Sequence, residues 1–289
     1  MSKEVWKNIW KTIDTSYSQE RIISQWDMFE RMKIKYLDKL FPKVDNNRTQ
    51  VKSLECGCGG ATVSVYFSKK GYKTIALDFV LEALRVAKNN FKKMFAQGHL
   101  LCADVEKIPI KDNTFDIVMS FGLIEHFHEI GPQIKEMVRV LKPRGLLFLD
   151  ISPNGYHIKN KTFQCENIAK LFNFLVYFIY HIIRFHFLIK QAYQRARLVF
   201  VPGYFENSLS LEDYKRIVKN SGISNICVHG NRPFPRIYLP GFLNSLYILF
   251  MRICESIWDR FDSSGSKFSR NWGAGWWLYG IKNEAQRKL

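Results

Sequence analysis

Apolar residues open the chain at helical spacing. Val5, Trp6, Ile9, Trp10 and Ile13 fall on one helical face, and Ile22, Ile23, Trp26, Phe29, Met32 and Leu37 on another that stops before Pro42. A polar linker, Asp45–Gln50, follows. From Val51 the period changes. Extended runs over 51–54, 73–77, 99–103, 115–120 and 146–151 alternate with helical stretches over 61–70, 81–95 and 131–140. Asp112-Asn113 and Lys142–Gly145 supply turns before the last two of these strands. Strands and helices alternating at this length predict a doubly wound α/β sheet, mostly parallel.

The second half is less regular. Residues 171–189 approach the length of a membrane span, but Asn173, His181, Arg184 and His186 interrupt them. An arginine at mid-bilayer alone costs roughly 2.5 to 3.5 kcal/mol. Asn173, Tyr177, His181 and Arg184 form a narrow polar stripe on an otherwise apolar helix. Three readings follow: a helix buried in a cap, a cap whose apolar lining holds a greasy acceptor, or an interfacial membrane helix. Ser210 and Asp213 form a capping box that opens another helix, ending at Ser221-Gly222. A sixth strand is expected over 223–228. A second amphipathic stretch covers 242–261, with Phe242, Leu246, Leu249, Phe250, Ile253, Ile257 and Phe261 on one stripe. Gly275–Ile281 reads as the last strand.

The resulting organisation is a helical cap over 1–45, a ligand-binding core over 46–155, a helical lid over 156–207, and the rest of the core over 208–289 with an insertion near 240–261. The N-terminal helices pack on the core or close over a substrate pocket.

Leu54-Glu-Cys-Gly-Cys-Gly-Gly-Ala61 joins the first strand to the first core helix. So many glycines suit a tight turn whose backbone approaches a ligand, with the helix N-terminus facing it. No Lys-Ser or Lys-Thr follows, so a nucleoside-triphosphate loop is excluded. Thr62 stands where the dinucleotide fingerprint needs its third glycine. Glu55, directly before the loop, suits a cation better than a pyrophosphate. Glu55, Asp78, Asp104, Ser120 and Asp150 all fall at carboxyl ends of strands, where ligands lie in such sheets.

The 289 residues are 47% hydrophobic, enough for one large core, and carry a net charge of +17. That balance permits anionic lipid, nucleic acid or phosphorylated partners without choosing among them. The six cysteines lack Cys-x-x-Cys pairs, so no metal site is expected. Two cysteines in a ligand loop, with no apolar leader in Met1–Trp10, suggest a reducing, cytoplasmic setting, with peripheral contact at the inner membrane surface as an extension.

Five motifs in order resemble a class I S-adenosylmethionine-dependent methyltransferase of the ubiquinone/menaquinone-biosynthesis type. They are the glycine loop, Ala76-Leu-Asp78, Ala103-Asp104-Val105, Phe115-Asp-Ile-Val118 and Val140-Leu-Lys-Pro-Arg-Gly145. The resemblance implies a Rossmann-like seven-stranded sheet in which the last strand inserts antiparallel between the fifth and sixth, with helical cap insertions. It implies S-adenosylmethionine as cofactor, leaving as S-adenosylhomocysteine, and no metal. It also implies cofactor-binding roles. Gly57, Cys58 and Gly59 would pass close to the methionine part, and Glu55 would orient the loop and favour the ammonium. Asp78 would accept from the ribose hydroxyls, with Phe79 against the adenine. Asp104 and Val105 would hold the adenine edge, and Ser120 would close the fourth strand beside the cofactor. Gly60-Ala61 departs from the family's usual third glycine.

For an oxygen acceptor a base helps. His126 is the first candidate, Glu125 and His128 follow, and His157 after Ser152-Pro-Asn-Gly155 is another. The reading is methyl transfer to a small or lipid-like acceptor, at oxygen. The alternatives are an RNA or protein methyltransferase, or a cofactor-binding scaffold at a membrane. Nucleic acid is not favoured: the fourth strand ends in Ser120-Phe-Gly-Leu123, without the Asn/Asp-Pro-Pro-aromatic motif of base amino-methylation.

Overall fold

The computed structural model describes residues 3–12, 22–41, 44, 50–152, 171–179, 182, 204–239 and 241–284. Its centre is a seven-stranded sheet: β1 (Lys52–Cys56), β2 (Lys73–Asp78), β3 (His99–Cys102), β4 (Phe115–Phe121), β5 (Leu141–Ile151), β6 (Ile223–Asn231) and β7 (Gly275–Lys282). The strands lie in the order β3-β2-β1-β4-β5-β7-β6. The first five pair in parallel, and β7 runs antiparallel to both its neighbours. This is the expected fold class, including the inserted last strand.

Helices cover both faces because the central strands are buried on both. On one side α5 (Gly131–Val140) and α6 (Leu211–Asn220) close the largest core around Val118, Leu147, Leu149 and Trp276. On the other, α3 (Thr62–Lys69) and the end of α2 (Gln25–Leu40) pack Phe67, Leu37 and Phe41 against Phe148 and Trp277. α4 (Leu81–Lys93) buries Leu84, Ala87 and Phe91 beside Ala61 and Val65. Ser24 and Asp27 form a capping box on α2, and Ser210 and Asp213 form the expected one on α6.

A third layer joins the two ends of the chain. Met28, Phe29 and Met32 of α2 pack with Ile248 and Met251 of α7 (Gly241–Ile253) and Trp258 of α8 (Glu255–Ser263). Arg31 and Lys35 pair with Glu255, and Lys39 pairs with Asp259, along the rim of that contact. α2, α7 and α8 thus form one helical body over the carboxyl ends of β4 and β5.

Several expectations change. The stretch 242–261 is two helices, broken at Cys254, and its apolar stripe faces outward: Phe242 is 74% and Ile253 75% exposed. The buried side is Ile248, Met251 and Trp258. In the helical segment 171–179 the expected polar stripe is the packed face. Asn173 is buried and holds the Arg236 carbonyl and the Tyr238 N–H, and Tyr177 meets the Tyr238 ring edge-on. Leu171, Phe172, Leu175 and Ile179 lie exposed. His181, Arg184 and His186 fall outside the described residues. Among the described residues, no helix is long and apolar enough to cross a membrane.

The turn at Lys142–Gly145 is drawn into β5 as an irregularity, with Arg144 at φ 63° and a register shift between Phe115 and Ile117. A short helix, α9 (Lys267–Trp272), went unforeseen although Ser266 caps it. The proposed lid, 156–207, lies mostly outside the described residues.

Candidate functional site

The loop after β1 folds because neighbouring side chains take over the bonds its backbone lacks. Gly57 and Gly59 adopt φ 65° and 50°. A Cβ on Gly57 would strike Leu123, and one on Gly59 would strike Trp10 of α1 (Lys3–Thr12). Ala61 takes φ 55° in the left-handed region, a conformation glycine adopts more readily. It cannot cap α3 through its own side chain. Glu55 does so instead: its carboxylate accepts from Ser64 N at 2.8 Å and Ser64 Oγ at 2.5 Å. The carboxylate therefore sits at the positive end of α3. Burial pushes its pKa up to about 7, against the pull of the Ser64 bonds and Lys33. Glu55 positions the loop, and its bonds are to protein.

Asp78 fixes the other side of the loop. Its carboxylate accepts from Gly59 N at 3.0 Å and Val80 N at 2.9 Å. Burial raises its pKa, and those backbone donors oppose the rise. Asp104 is exposed, with Oδ1 accepting from Glu106 N at 2.9 Å, while Val105 is buried. Between them opens a cleft of about 210 Å³ whose lining includes Gly57, Phe79, Asp104 and Val105. Leu77, Ala103, Leu123 and Phe127 complete its apolar wall. These residues were missed by sequence reasoning, although Leu77 and Ala103 directly precede the acids it singled out.

The remaining expected cofactor residues stand behind this cleft. Cys58 is buried with its thiol against the Gly59 carbonyl at 3.7 Å, and burial raises its pKa. Ser120 is fully enclosed within β4, which runs one residue further than expected, so Phe121 is the strand's last residue and Gly122 follows it.

α1 packs beside the cleft. Lys3 stands over the Phe79 ring at 6.0 Å, Trp6 meets the His126 ring at 4.8 Å, and Trp10 packs on Gly59.

Glu125 and His126 lie on a single 3₁₀ turn, Ile124–His126, just after β4. His126 Nδ1 lies 2.9 Å from the Phe205 carbonyl. A carbonyl can only accept, so Nδ1 carries the proton, and the ring has a second backbone contact at Gly122. Burial lowers its pKa, and the ring packs against both Trp6 and Tyr204, which stack on each other. His128 lies against Phe205, 3.7 Å between centroids. Glu125 is buried; Oε1 accepts from Ser152 N at 2.9 Å, and Oε2 has no partner among the described residues. Burial, then the charges of Asp150 and Glu206, push its pKa up to about 8 against two backbone bonds. His157 lies outside the described residues.

A second cavity, of about 100 Å³, opens on the other side of the β4 turn. Phe121, Gly122, Asp150 and Ser152 form its floor at the strand ends. Glu30 and Lys33 of α2 and Trp258 and Asp262 of α8 form its roof. Gly122 lines this cavity and Leu123 lines the first cleft, so one turn separates the two spaces. No group of acids, histidines and cysteines suited to a metal occurs among the described residues.

The residues fit S-adenosylmethionine in three respects. The glycine backbone lets Leu123 and Trp10 pack directly on the loop, Asp78 locks that backbone without itself lining the cleft, and an apolar slot beside Gly57 ends on Asp104 and Val105.

Residues 54–149 match the family described as methyltransferase domain. The chain is 29% identical over 135 residues to malonyl-[acyl-carrier protein] O-methyltransferase of Pseudescherichia vulneris, covering 47% of this chain and 52% of that protein. It is 36% identical over 104 residues to demethylmenaquinone methyltransferase of Streptomyces avermitilis, covering 36% and 43%. The chain thus spans about half the length of the curated relatives it matches. Among solved structures, the complex of the Haloferax volcanii Trm112 methyltransferase activator and the putative methyltransferase superposes with a TM-score of 0.55. At 12% identity, over 98% of this chain and 97% of the other, that likeness is one of fold.

Proposed function

Because this chain carries a class I S-adenosylmethionine-dependent methyltransferase domain, we propose that it transfers a methyl group to an oxygen of a lipid-like acceptor. The observation that carries this reading is the pair of cavities sharing the Phe121–Leu123 turn. The cleft over β1–β3 has the chemistry for the cofactor, and the cavity over β4 and β5 is the adjoining space for an acceptor.

When bound, S-adenosylmethionine supplies a methyl group on a cationic sulfonium. The chain's own part is to hold two partners end to end and exclude water. Gly57 and Gly59 let the backbone approach one partner, and Asp78 and Asp104 orient it. Trp26, Phe29 and Trp258 cover the other. Lys33, over the Phe121 ring at 5.1 Å, brings positive charge to the boundary. It stays protonated, since Glu30, Asp150 and Glu55 together outweigh its burial.

Glu125 is the favoured proton acceptor. It touches Ser152, stands 3.9 Å from the Cβ position of Gly122, and titrates near neutrality. Neither Glu125 nor His126 is among the residues lining the two spaces, but Glu125 bonds Ser152, which lines one of them, whereas His126 has its Nδ1 committed to Phe205. We assign it to holding the turn.

The lipid-like character rests on the surface around the cavity mouth. Trp26 is 53% exposed there, and Gln25 beside it ties α2 to Ile237 and to Asn244 of α7. Phe242, Leu243 and Leu246 extend the apolar surface along α7. With a net charge of +17, such a surface suits peripheral contact with anionic lipid.

The test is turnover of methyl-labelled S-adenosylmethionine with a cell extract split into lipid, RNA, protein and small-molecule fractions. Label in the lipid fraction supports the reading. Label in RNA or protein overturns the acceptor class. Cofactor binding with no label in any fraction overturns the activity.

A further inference from the structure

α4 turns different faces to the protein and to solvent. Ala83, Leu84, Ala87, Asn90 and Phe91 are buried. Leu81, Arg85, Lys88 and Lys92 form an exposed row on the other side, and Phe95 continues it just beyond the helix end. These positions are alternately four and three residues apart, the spacing that keeps one line along a helix. At 1.5 Å per residue the row runs for about 21 Å. Its ends are apolar, with Leu81 52% and Phe95 96% exposed. Its middle is cationic, and none of Arg85, Lys88 and Lys92 has an acidic partner among the described residues. Glu82 is the one acid of α4. The helix is tied to the cofactor side of the molecule: Asn90 Nδ2 donates to the Gly60 carbonyl at 2.8 Å, and Phe79, just before α4, lines the cleft.

Phe95 is held against its own backbone preference. Phe95 N donates to the Lys92 carbonyl at 3.2 Å, and Ala96 N donates to the Phe91 carbonyl at 3.0 Å, the paired bonds of a Schellman end. That motif needs a residue in the left-handed region, and Phe95 takes φ 50°. Glycine is the usual occupant, because a side chain there crowds the following carbonyl. The apolar contact that accompanies the motif is made by Ala96, which packs against the core cluster containing Phe91. The Phe95 ring therefore serves neither the helix end nor the core. A strained and almost fully solvated aromatic at the end of an unpaired cationic row points to a contact outside the chain.

We infer that the outward row of α4 is a docking surface for an acidic amphipathic helix of a partner protein, about four turns long. Leu81 and Phe95 take up apolar side chains at its two ends, and Arg85, Lys88 and Lys92 face its carboxylates. Spacing and charge both select this occupant. Alternate steps of four and three make the seam along which one helix lies on another. Cations between two apolar anchors call for a partner that is opposite in charge at the middle and apolar at the same ends. A nucleic-acid strand would use the cations and the ring but leave Leu81 in water. Position argues against a bilayer. α4 packs on β2 and β3 at one edge of the sheet, whereas α8, against which α7 lies, packs on β6 at the other. Lipid resting on the apolar side of α7 is thus across the sheet from this row. The inference does not depend on the methyl-transfer reading.

The test is fluorescence anisotropy of the full chain with a fluorescein-labelled, lactam-stapled helical peptide that carries leucine at both ends of one face and glutamate between them. The comparison probes are the same peptide with lysine for glutamate, a labelled oligouridylate, and vesicles of phosphatidylglycerol and phosphatidylcholine. The variants are Arg85→Glu with Lys88→Glu, and Phe95→Gly, each followed by thermal unfolding. The expected result is saturable binding of the glutamate peptide, weakened by added salt and at least tenfold by each variant. Phe95→Gly should not lower the thermal midpoint, since glycine fits φ 50°, so its loss of binding reports on the ring and not on folding. The charge-reversed variant decides the matter independently, because it alters only exposed side chains. Equal or tighter binding of the lysine peptide, no saturable binding of the glutamate peptide, or unchanged affinity in either variant overturns the inference. So does binding of the oligouridylate or the vesicles that both variants abolish.

Discussion

Glu125→Gln should change how stability depends on pH. The carboxyl is buried, with one oxygen on Ser152 N and the other unpartnered, and its pKa rises from 4.5 to about 8. Between those values the folded protein holds a proton that the unfolded chain has released. Wild-type stability therefore falls as pH rises through this window, and the loss is complete above about pH 8. Taken at face value, the shift corresponds to about 3 kcal/mol lost from Glu125 between roughly pH 5.5 and 8.5. Relaxation of the site and entry of water bring the expected value to about 1.5 kcal/mol. Glutamine keeps the shape, can still accept from Ser152 N and has no charge to bury. The assay is urea unfolding of both proteins at four pH values across the window. Subtraction removes other titrating groups, including Glu55, whose pKa is also raised. The variant should gain on wild type steadily as pH rises. Parallel curves, with a difference constant within about 0.3 kcal/mol, would refute the claim that this carboxyl is held neutral by burial. A gain in the opposite direction would mean that an unrecognised cation stabilises its charged form.

Three further outcomes follow from particular contacts. Asp78→Ala removes the acceptor for Gly59 N and Val80 N and should lower S-adenosylmethionine affinity at least tenfold by calorimetry; unchanged affinity would remove Asp78 from the site. Gly59→Ala forces a Cβ to within 2.4 Å of Trp10 at φ 50°, so it should cost about 1 to 3 kcal/mol of stability. Trp10→Ala should recover the steric part in a double-mutant cycle, and simple additivity would show that α1 does not press on the loop. Phe242→Glu with Leu246→Glu alters only exposed side chains, 74% and 44% accessible, so the thermal midpoint should move little. Flotation with anionic vesicles should be lost, and wild-type flotation that survives the change would place lipid contact elsewhere.

The sheet was legible in the chain because its signals are local. Gly57, Gly59, Asp78 and Asp104 stand at or just beyond the ends of β1, β2 and β3, within a few residues of the turns that present them. Alternation of strand and helix allows few topologies, and the antiparallel β7 came with the family resemblance. The motifs also sufficed to identify a methyltransferase domain. The capping box at Ser210 was equally readable, since it involves residues three apart.

Periodicity identifies an amphipathic helix but does not say which side meets the protein. The apolar stripe of Phe242, Leu246 and Ile253 looked like core and lies outward, because Ile248, Met251 and Trp258 fill the available contact with α2. The polar stripe of Asn173 and Tyr177 looked like a cost and is the packed face, because the backbone at Arg236 and Tyr238 offers it partners. That Glu55 caps α3 through Ser64, in place of Ala61, is visible only in the fold. The cavity over β4 and β5 has no sequence signature. Glu30, Asp262, Trp258 and Trp277 come from opposite ends of the chain, and each alone reads as an ordinary surface acid or core aromatic. Chemistry carried by neighbours along the chain was determined by the sequence itself. Chemistry that needs α2 folded against α8 over the ends of β4 and β5 was decided only by tertiary packing, because desolvation and unmatched hydrogen bonds arise only when distant groups share one enclosed space.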